Sequence, residues 1–98
     1  MSDEKRDDDN VVFIGIKPFM NYVTSVIMLF TTKNKEEVII KARGKWISRA
    51  VDVVEVVRKK FLKEQNIQIK DIKIDSNEIE NREGRKVNVS LIEITLKK

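Results

Sequence analysis

The twelve residues Lys41–Asp52, reading Lys-Ala-Arg-Gly-Lys-Trp-Ile-Ser-Arg-Ala-Val-Asp, constrain the fold more than any other part of this chain. They close a run with strand character, Glu37-Val38-Ile39-Ile40-Lys41-Ala42, and open a segment from about Trp46 to Glu64 that holds neither Gly nor Pro. A chain that turns from strand into helix exposes the unbonded N–H groups of the helix start. Lys41, Arg43, Lys45 and Arg49 surround that turn with positive charge. Both features favour an anion. The glycine spacing of the common phosphate-loop fingerprints is missing, so the turn points to a polyanion and not to nucleotide chemistry.

The rest of the chain supplies the partners such a turn needs. Val11-Val12-Phe13-Ile14, ended by Gly15, reads as a buried strand. Pro18 suits the first position of a helix, where its missing N–H is not needed. Phe19, Tyr22, Val23, Val26, Ile27 and Phe30 then recur at three- and four-residue steps, predicting an amphipathic helix to about Thr32. After the polar break Lys33-Asn34-Lys35 and the second strand, Ala50–Val57 has the β-branched composition of a strand. Its length and the helical spacing of Ile47, Ala50, Val51, Val54, Val57 and Phe61 decide for a second helix. Ser48, Asp52, Glu55 and Lys59 form its polar stripe. Val53 and Val56 widen its apolar face, which favours cover on two sides and hence a partner subunit.

Ile67 and Ile69, then Ile72 and Ile74, alternate in two phases, predicting a β-bulge near Lys70-Asp71. The last strand changes phase in the same way, from Val87, Val89 and Leu91 to Ile92, Ile94 and Leu96. Gly84, within Asn81–Lys86, suits the hairpin turn between these strands. The expected fold is α/β: a two-layer sandwich ordered β-α-β-α-β-β. Its four-stranded mixed sheet carries both helices on one face and a long hairpin between the third and fourth strands. Residues 11–98 form a single domain in this reading, and residues 1–10 a disordered acidic tail.

Composition narrows the function. The 98 residues include no Cys and no His. Thiol nucleophiles, thiolate metal sites and the usual near-neutral general base are therefore excluded. No metal, no cofactor and no enzymatic activity are expected. The net charge is +4, and residues 3–9 alone hold five acids and two bases, a net of −3; without them the chain carries +7. A basic body favours phosphate backbones or anionic membranes. No apolar stretch approaches a membrane span, and the acidic start is unlike a signal peptide, so a cytoplasmic location is expected. Charged residues make up 37% of the chain, a composition that also fits heat adaptation through surface ion pairs.

Three basic features are candidate contacts. Lys17 follows the first strand, just before a helix. Arg43, Lys45 and Arg49 follow or flank the second strand-to-helix turn. Two such turns on a parallel pair open at the same end of the sheet, so these groups should converge. Arg82, Arg85 and Lys86 occupy the hairpin tip, where arginine suits a narrow, negative minor groove. Taken singly, each is also explained by a solvated surface. Tyr22 and Phe61 lie on apolar helical spacing and read as packing residues, whereas Trp46 beside the basic turn suits either packing or base stacking. Asp52 and Glu55 read as a solvated helix face.

Several segments together resemble the Alba family of archaeal chromatin proteins. They are Val11-Val12-Phe13-Ile14-Gly15, Lys17-Pro18, Met20-Asn21-Tyr22, Ile40-Lys41-Ala42-Arg43-Gly44, Ile47-Ser48-Arg49-Ala50-Val51-Asp52 and Arg58-Lys59-Lys60-Phe61-Leu62. The resemblance runs from about residue 11 to 98. It implies a homodimer, or a heterodimer with a paralogue, that coats double-stranded DNA in the nucleoid without strong sequence preference and also binds RNA. A primarily RNA-binding protein or ribonucleoprotein subunit is the alternative. By the same resemblance Lys17, Arg43 and Lys45 contact DNA, Lys17 is a candidate for acetylation, and Arg82, Arg85 and Lys86 form the arm. Phe61, with Arg58 nearby, meets a neighbouring dimer. Two positions depart from the family pattern: Ile16 replaces a lysine, and Trp46 stands where a small residue is usual.

Overall fold

The protein's computed structural model describes residues 9–98. Most of the acidic tail therefore lies outside the described residues. Asn10, assigned to that tail from the sequence, is tied to the sheet: its carbonyl accepts from the Ile39 N–H at 2.8 Å and its Nδ2 donates to the Glu37 carbonyl at 3.0 Å.

The chain runs through β1 (Val11–Phe13), α1 (Phe19–Phe30), β2 (Glu37–Arg43), a 3-10 turn (Gly44–Trp46) and α2 (Ile47–Val56). A wide π turn (Val57–Phe61) and a second 3-10 turn (Lys63–Gln65) follow, then β3 (Gln68–Glu80) and β4 (Lys86–Lys97). The sheet order is β1-β2-β4-β3, with β1 parallel to β2 and the other neighbours antiparallel. Both helices cover one face. Val12, Ile14, Val38, Ile40, Ala42, Ile94 and Leu96 alternate inward from the sheet and share one core with Val23, Val26 and Phe30 of α1 and Ala50, Val53 and Val54 of α2. The expected two-layer sandwich is the observed one. Pro18 sits one residue earlier than expected, as the cap before α1 with extended backbone (ψ 144°).

Three details differ from the sequence reading. Of the run Val11–Ile14, only Val12 and Ile14 face the core; Phe13 points to the other face of the sheet and is 68% exposed. A period of two puts every second residue of an edge strand outside. In α2 the inward stripe is Ala50, Val53 and Val54, continued by Val57 of the π turn, and Val51 is 42% exposed. Valines fill several faces of this helix, so spacing alone cannot select the phase.

Phe61 is the third case. Helical spacing from buried Val57 places it in the core, yet it is 51% exposed and Leu62 is buried instead. The π turn is the cause. The Leu62 N–H donates to the Val57 carbonyl at 2.8 Å, a step of five residues instead of four. The wider turn brings Leu62 around to the face that Phe61 would take in an α-helix.

The predicted bulge is present: the register of β3 against β4 shifts between Ile69, opposite Leu96, and Asp71, opposite Thr95. The phase change in β4 is not a second bulge. That strand pairs continuously from Lys86 to Lys97. Instead, β2 ends at Arg43 opposite Leu91, and the hairpin continues beyond it alone. Ile92, Ile94 and Leu96 face the helices, whereas Val87, Val89 and Leu91 occupy the opposite face, where the arm has left the helix layer. From Asp75–Leu91 to Glu80–Lys86 the arm extends for roughly 17 Å at about 3.4 Å per residue.

Phe30 is among the largest fully buried side chains. Phe30→Ala should lower the unfolding free energy by about 3–5 kcal/mol, read as a lower urea midpoint at unchanged slope.

Candidate nucleic-acid interface

The two turns that follow β1 and β2 meet at one end of the sheet. Gly44 has a backbone φ of +59°, a left-handed conformation that suits glycine, and it starts the 3-10 turn leading into α2. This turn leaves Arg43 and Lys45 exposed on either side of the glycine. The first turn, Gly15-Ile16-Lys17, is held from two directions. The Lys17 N–H donates to Tyr22 Oη at 2.8 Å, and Arg49 Nη1 donates to the carbonyls of Gly15 at 2.5 Å and Lys17 at 2.8 Å.

Arg49 is thus the joint between the turns. It leaves the first turn of α2, reaches across to the segment after β1, and lies 5.7 Å from the Tyr22 ring centre and 5.6 Å from that of Trp46. Lys45 Nζ lies 5.1 Å from the same Trp46 ring. These distances suit cation–π attraction. The sequence reading placed Arg49 among the contact residues; the structure gives its Nη1 a positioning task, orienting the main chain that carries Lys17. Trp46 is half-buried and packs against the core from one side. Tyr22 is buried as expected, but its hydroxyl also fixes the Lys17 turn, a role that apolar spacing does not reveal.

The hairpin tip is shaped by Asn81. Its Oδ1 accepts from the N–H groups of Glu83 and Arg85, each at 3.0 Å, and its main chain closes the loop through the Arg85 carbonyl at 2.8 Å. Gly84 takes φ +82° to complete the turn. Arg82, Arg85 and Lys86 are exposed there, well removed in the fold from Lys17 and Arg43. Arg58 lies at the opposite end of α2. Its Nε donates to the Ile67 carbonyl at 3.0 Å and its Nη1 pairs with Glu55 at 2.7 Å, beside exposed Phe61. Lys59 joins the same carboxylate at 3.2 Å. The hydrogen bond from Arg58, opposed by desolvation and aided by Lys59, holds the Glu55 carboxyl below its ordinary value near 4.5. Among the described residues no cluster of acidic side chains is arranged to hold a metal ion, and no helix is long and apolar enough to cross a membrane.

Two expectations follow. Arg49→Met keeps the side-chain stem but removes both carbonyl bonds, and should cost about 1.5–3 kcal/mol in denaturant unfolding; Arg49→Lys, a point charge without the planar fork, should recover only part. A carboxyl with a depressed folded pKa stabilises above its unfolded pKa and loses that contribution as pH falls through the folded value. The difference in thermal midpoint between the parent and Glu55→Gln should therefore be present at neutral pH and shrink as pH falls below about 4.5.

The family model described as Alba matches residues 10–76. The DNA/RNA-binding protein Alba of Methanococcus maripaludis is 51% identical over 88 residues, spanning 90% of this chain and 97% of that protein. The DNA/RNA-binding protein Alba 1 of Archaeoglobus fulgidus is 52% identical over 90 residues, spanning 92% and 97%. The solved structure of Alba from Thermoplasma volcanium superposes with a TM-score of 0.82 at 45% identity, covering 91% of this chain and all of that one. By sequence across nearly its whole described length, and by fold, this chain belongs to the Alba family.

Proposed function

We propose that this chain binds double-stranded DNA through phosphate contacts, without strong sequence preference, as a dimer that coats and compacts the duplex in the nucleoid. One observation carries the reading. Arg49 ties the Lys17 turn to the helix that starts beside Arg43 and Lys45, at the sheet end from which the basic arm projects. Relatives about half identical to it are named DNA/RNA-binding proteins, which supports nucleic acid as the polyanion. Phosphate contacts give affinity and position but carry little sequence information. The tip residues Arg82, Arg85 and Lys86 extend the grip into a groove.

Pairing of two chains is supported by apolar surface. Ile72 and Ile74 point to the helix side of β3, beyond the cover of α2, and are 52% and 79% exposed; Val51 on α2 is also exposed. A second copy, or a paralogue with the same face, buries them and doubles the number of basic turns along a duplex. Exposed Phe61, beside Arg58, is the contact between neighbouring dimers in this reading. Lys17 is exposed and open to acetylation, which removes its charge. The names of the relatives also favour RNA as a second ligand, served by the same turns.

Duplex affinity should fall steeply and log-linearly with salt. Arg43→Ala should weaken all duplex sequences alike and reduce the salt slope by about 1. Affinity insensitive to salt would overturn the phosphate grip. In sedimentation, Ile74→Asp should shift a dimer to a folded monomer; an unchanged sedimentation coefficient would remove this face from the interface.

A further inference from the structure

We infer that the crook between the body and the hairpin arm is a subsite for an unpaired nucleobase. This rests on nucleic acid being the ligand and adds to it a second binding mode, for single strands. The arm continues past the ends of β1 and β2, so a concave corner forms where they stop. In a single chain it encloses about 850 Å³, with Ile74 of the proposed pairing face as part of one wall, within the range of about 300–1,000 Å³ usual for ligand sites. Phe13 and Trp46 both line it.

Each ring carries a cation. Lys41 Nζ lies 5.7 Å from the Phe13 ring centre, and Lys45 Nζ lies 5.1 Å from that of Trp46. Arg43 lines the same corner. Exposed rings on a basic surface form a stacking platform, because every base has a π-face and every nucleotide a phosphate. The body's packing does not account for Phe13, which faces away from the helix layer and is largely exposed.

The corner is not uniformly basic. Glu93, paired with Lys41 at 3.2 Å, and Asp75 also line it, beside Lys73. Carboxylates repel an acidic peptide, yet they accept hydrogen bonds from the amino and imino groups on a base edge. Cations and acceptors side by side on one surface therefore suit a nucleotide better than a polyacid. A duplex keeps its base faces stacked on one another and offers none to Phe13. Only a single strand, a loop or a frayed end uses this subsite, whereas the duplex uses Lys17, Arg43 and Lys45.

The experiment uses the full chain, with oligo-dT, oligo-U and a matched DNA duplex as probes, read by anisotropy of labelled strands and by fluorescence of Trp46, the only tryptophan. Oligo-dT and oligo-U should quench Trp46. Phe13→Ala should weaken both single strands by about 5–150-fold, the equivalent of about 1–3 kcal/mol for one stacked base, and leave duplex affinity within about twofold. Phe13→Tyr should keep single-strand binding, and Phe13→Leu, apolar but without a π-face, should lose it. Equal loss for duplex and single strands, no loss for either, full activity of Phe13→Leu, or displacement of oligo-dT by polyglutamate as readily as by oligo-U would overturn the subsite. A parent protein that binds the duplex but shows no effect of Phe13 defeats the subsite alone. A parent that binds neither probe defeats the nucleic-acid reading and the subsite with it.

Discussion

A single guanidinium group holds the basic end of this molecule in shape. The segment between β1 and α1 is short and contains Gly15, and its last bond to the sheet is from the Ile14 N–H to the Lys41 carbonyl at 2.9 Å. Left to itself it would sample many conformations, and the direction in which Lys17 projects would vary with them. Arg49 removes that freedom with two hydrogen bonds to carbonyls 34 and 32 residues away in sequence. Tyr22 closes the segment from the other side through the Lys17 N–H. The planar fork of arginine suits this task, since one nitrogen reaches both carbonyls while the face of the group lies against Tyr22 and Trp46. The same charged group that adds to the basic end of the sheet thus fixes the backbone that carries Lys17.

The other constraint is the unequal length of the strands. β2 is seven residues long, and β3 and β4 are thirteen and twelve. Where β2 pairs with β4 a helix layer covers one face, and apolar residues must point toward it. Beyond Arg43 the layer is gone and the apolar residues of β4 change sides. One strand thus serves a buried sheet and a solvent-exposed arm in turn. The same mismatch opens the corner between arm and body, whereas Ile72 and Ile74, level with β2, lack helical cover because β3 is the outer strand of the sheet.

Much of this was legible in the sequence because the signals are local. Short apolar runs marked β1 and β2, alternation marked both halves of the hairpin, and its failure at Lys70 marked the bulge. Gly84 marked the hairpin turn, whereas the left-handed conformations at Asn34 and Asn66 had no glycine to announce them. What escaped was tertiary. Nothing around Arg49 distinguishes a cation that binds outside ligands from one that bonds inward to carbonyls more than thirty residues away. The inward phase of α2 was hidden by valines on several faces, so Val51 and Val53 were interchangeable on spacing alone. In β1, four consecutive apolar residues looked uniformly buried, although an edge strand has an outer face, which Phe13 at its end occupies. The resemblance to a family, carried by short motifs, anticipated an outward Phe61 where periodicity did not.

The π turn at Val57–Phe61 has a consequence for how such a protein can diversify. A regular α-helix would make residue 61 part of the interior, and any change there would be filtered first by folding. One extra residue in the turn transfers that duty to Leu62 and frees position 61 from it. Interior packing then rests on Leu62 while its neighbour Phe61 is a surface side chain, so a lineage can change or remove that outer ring while the interior stays as it was.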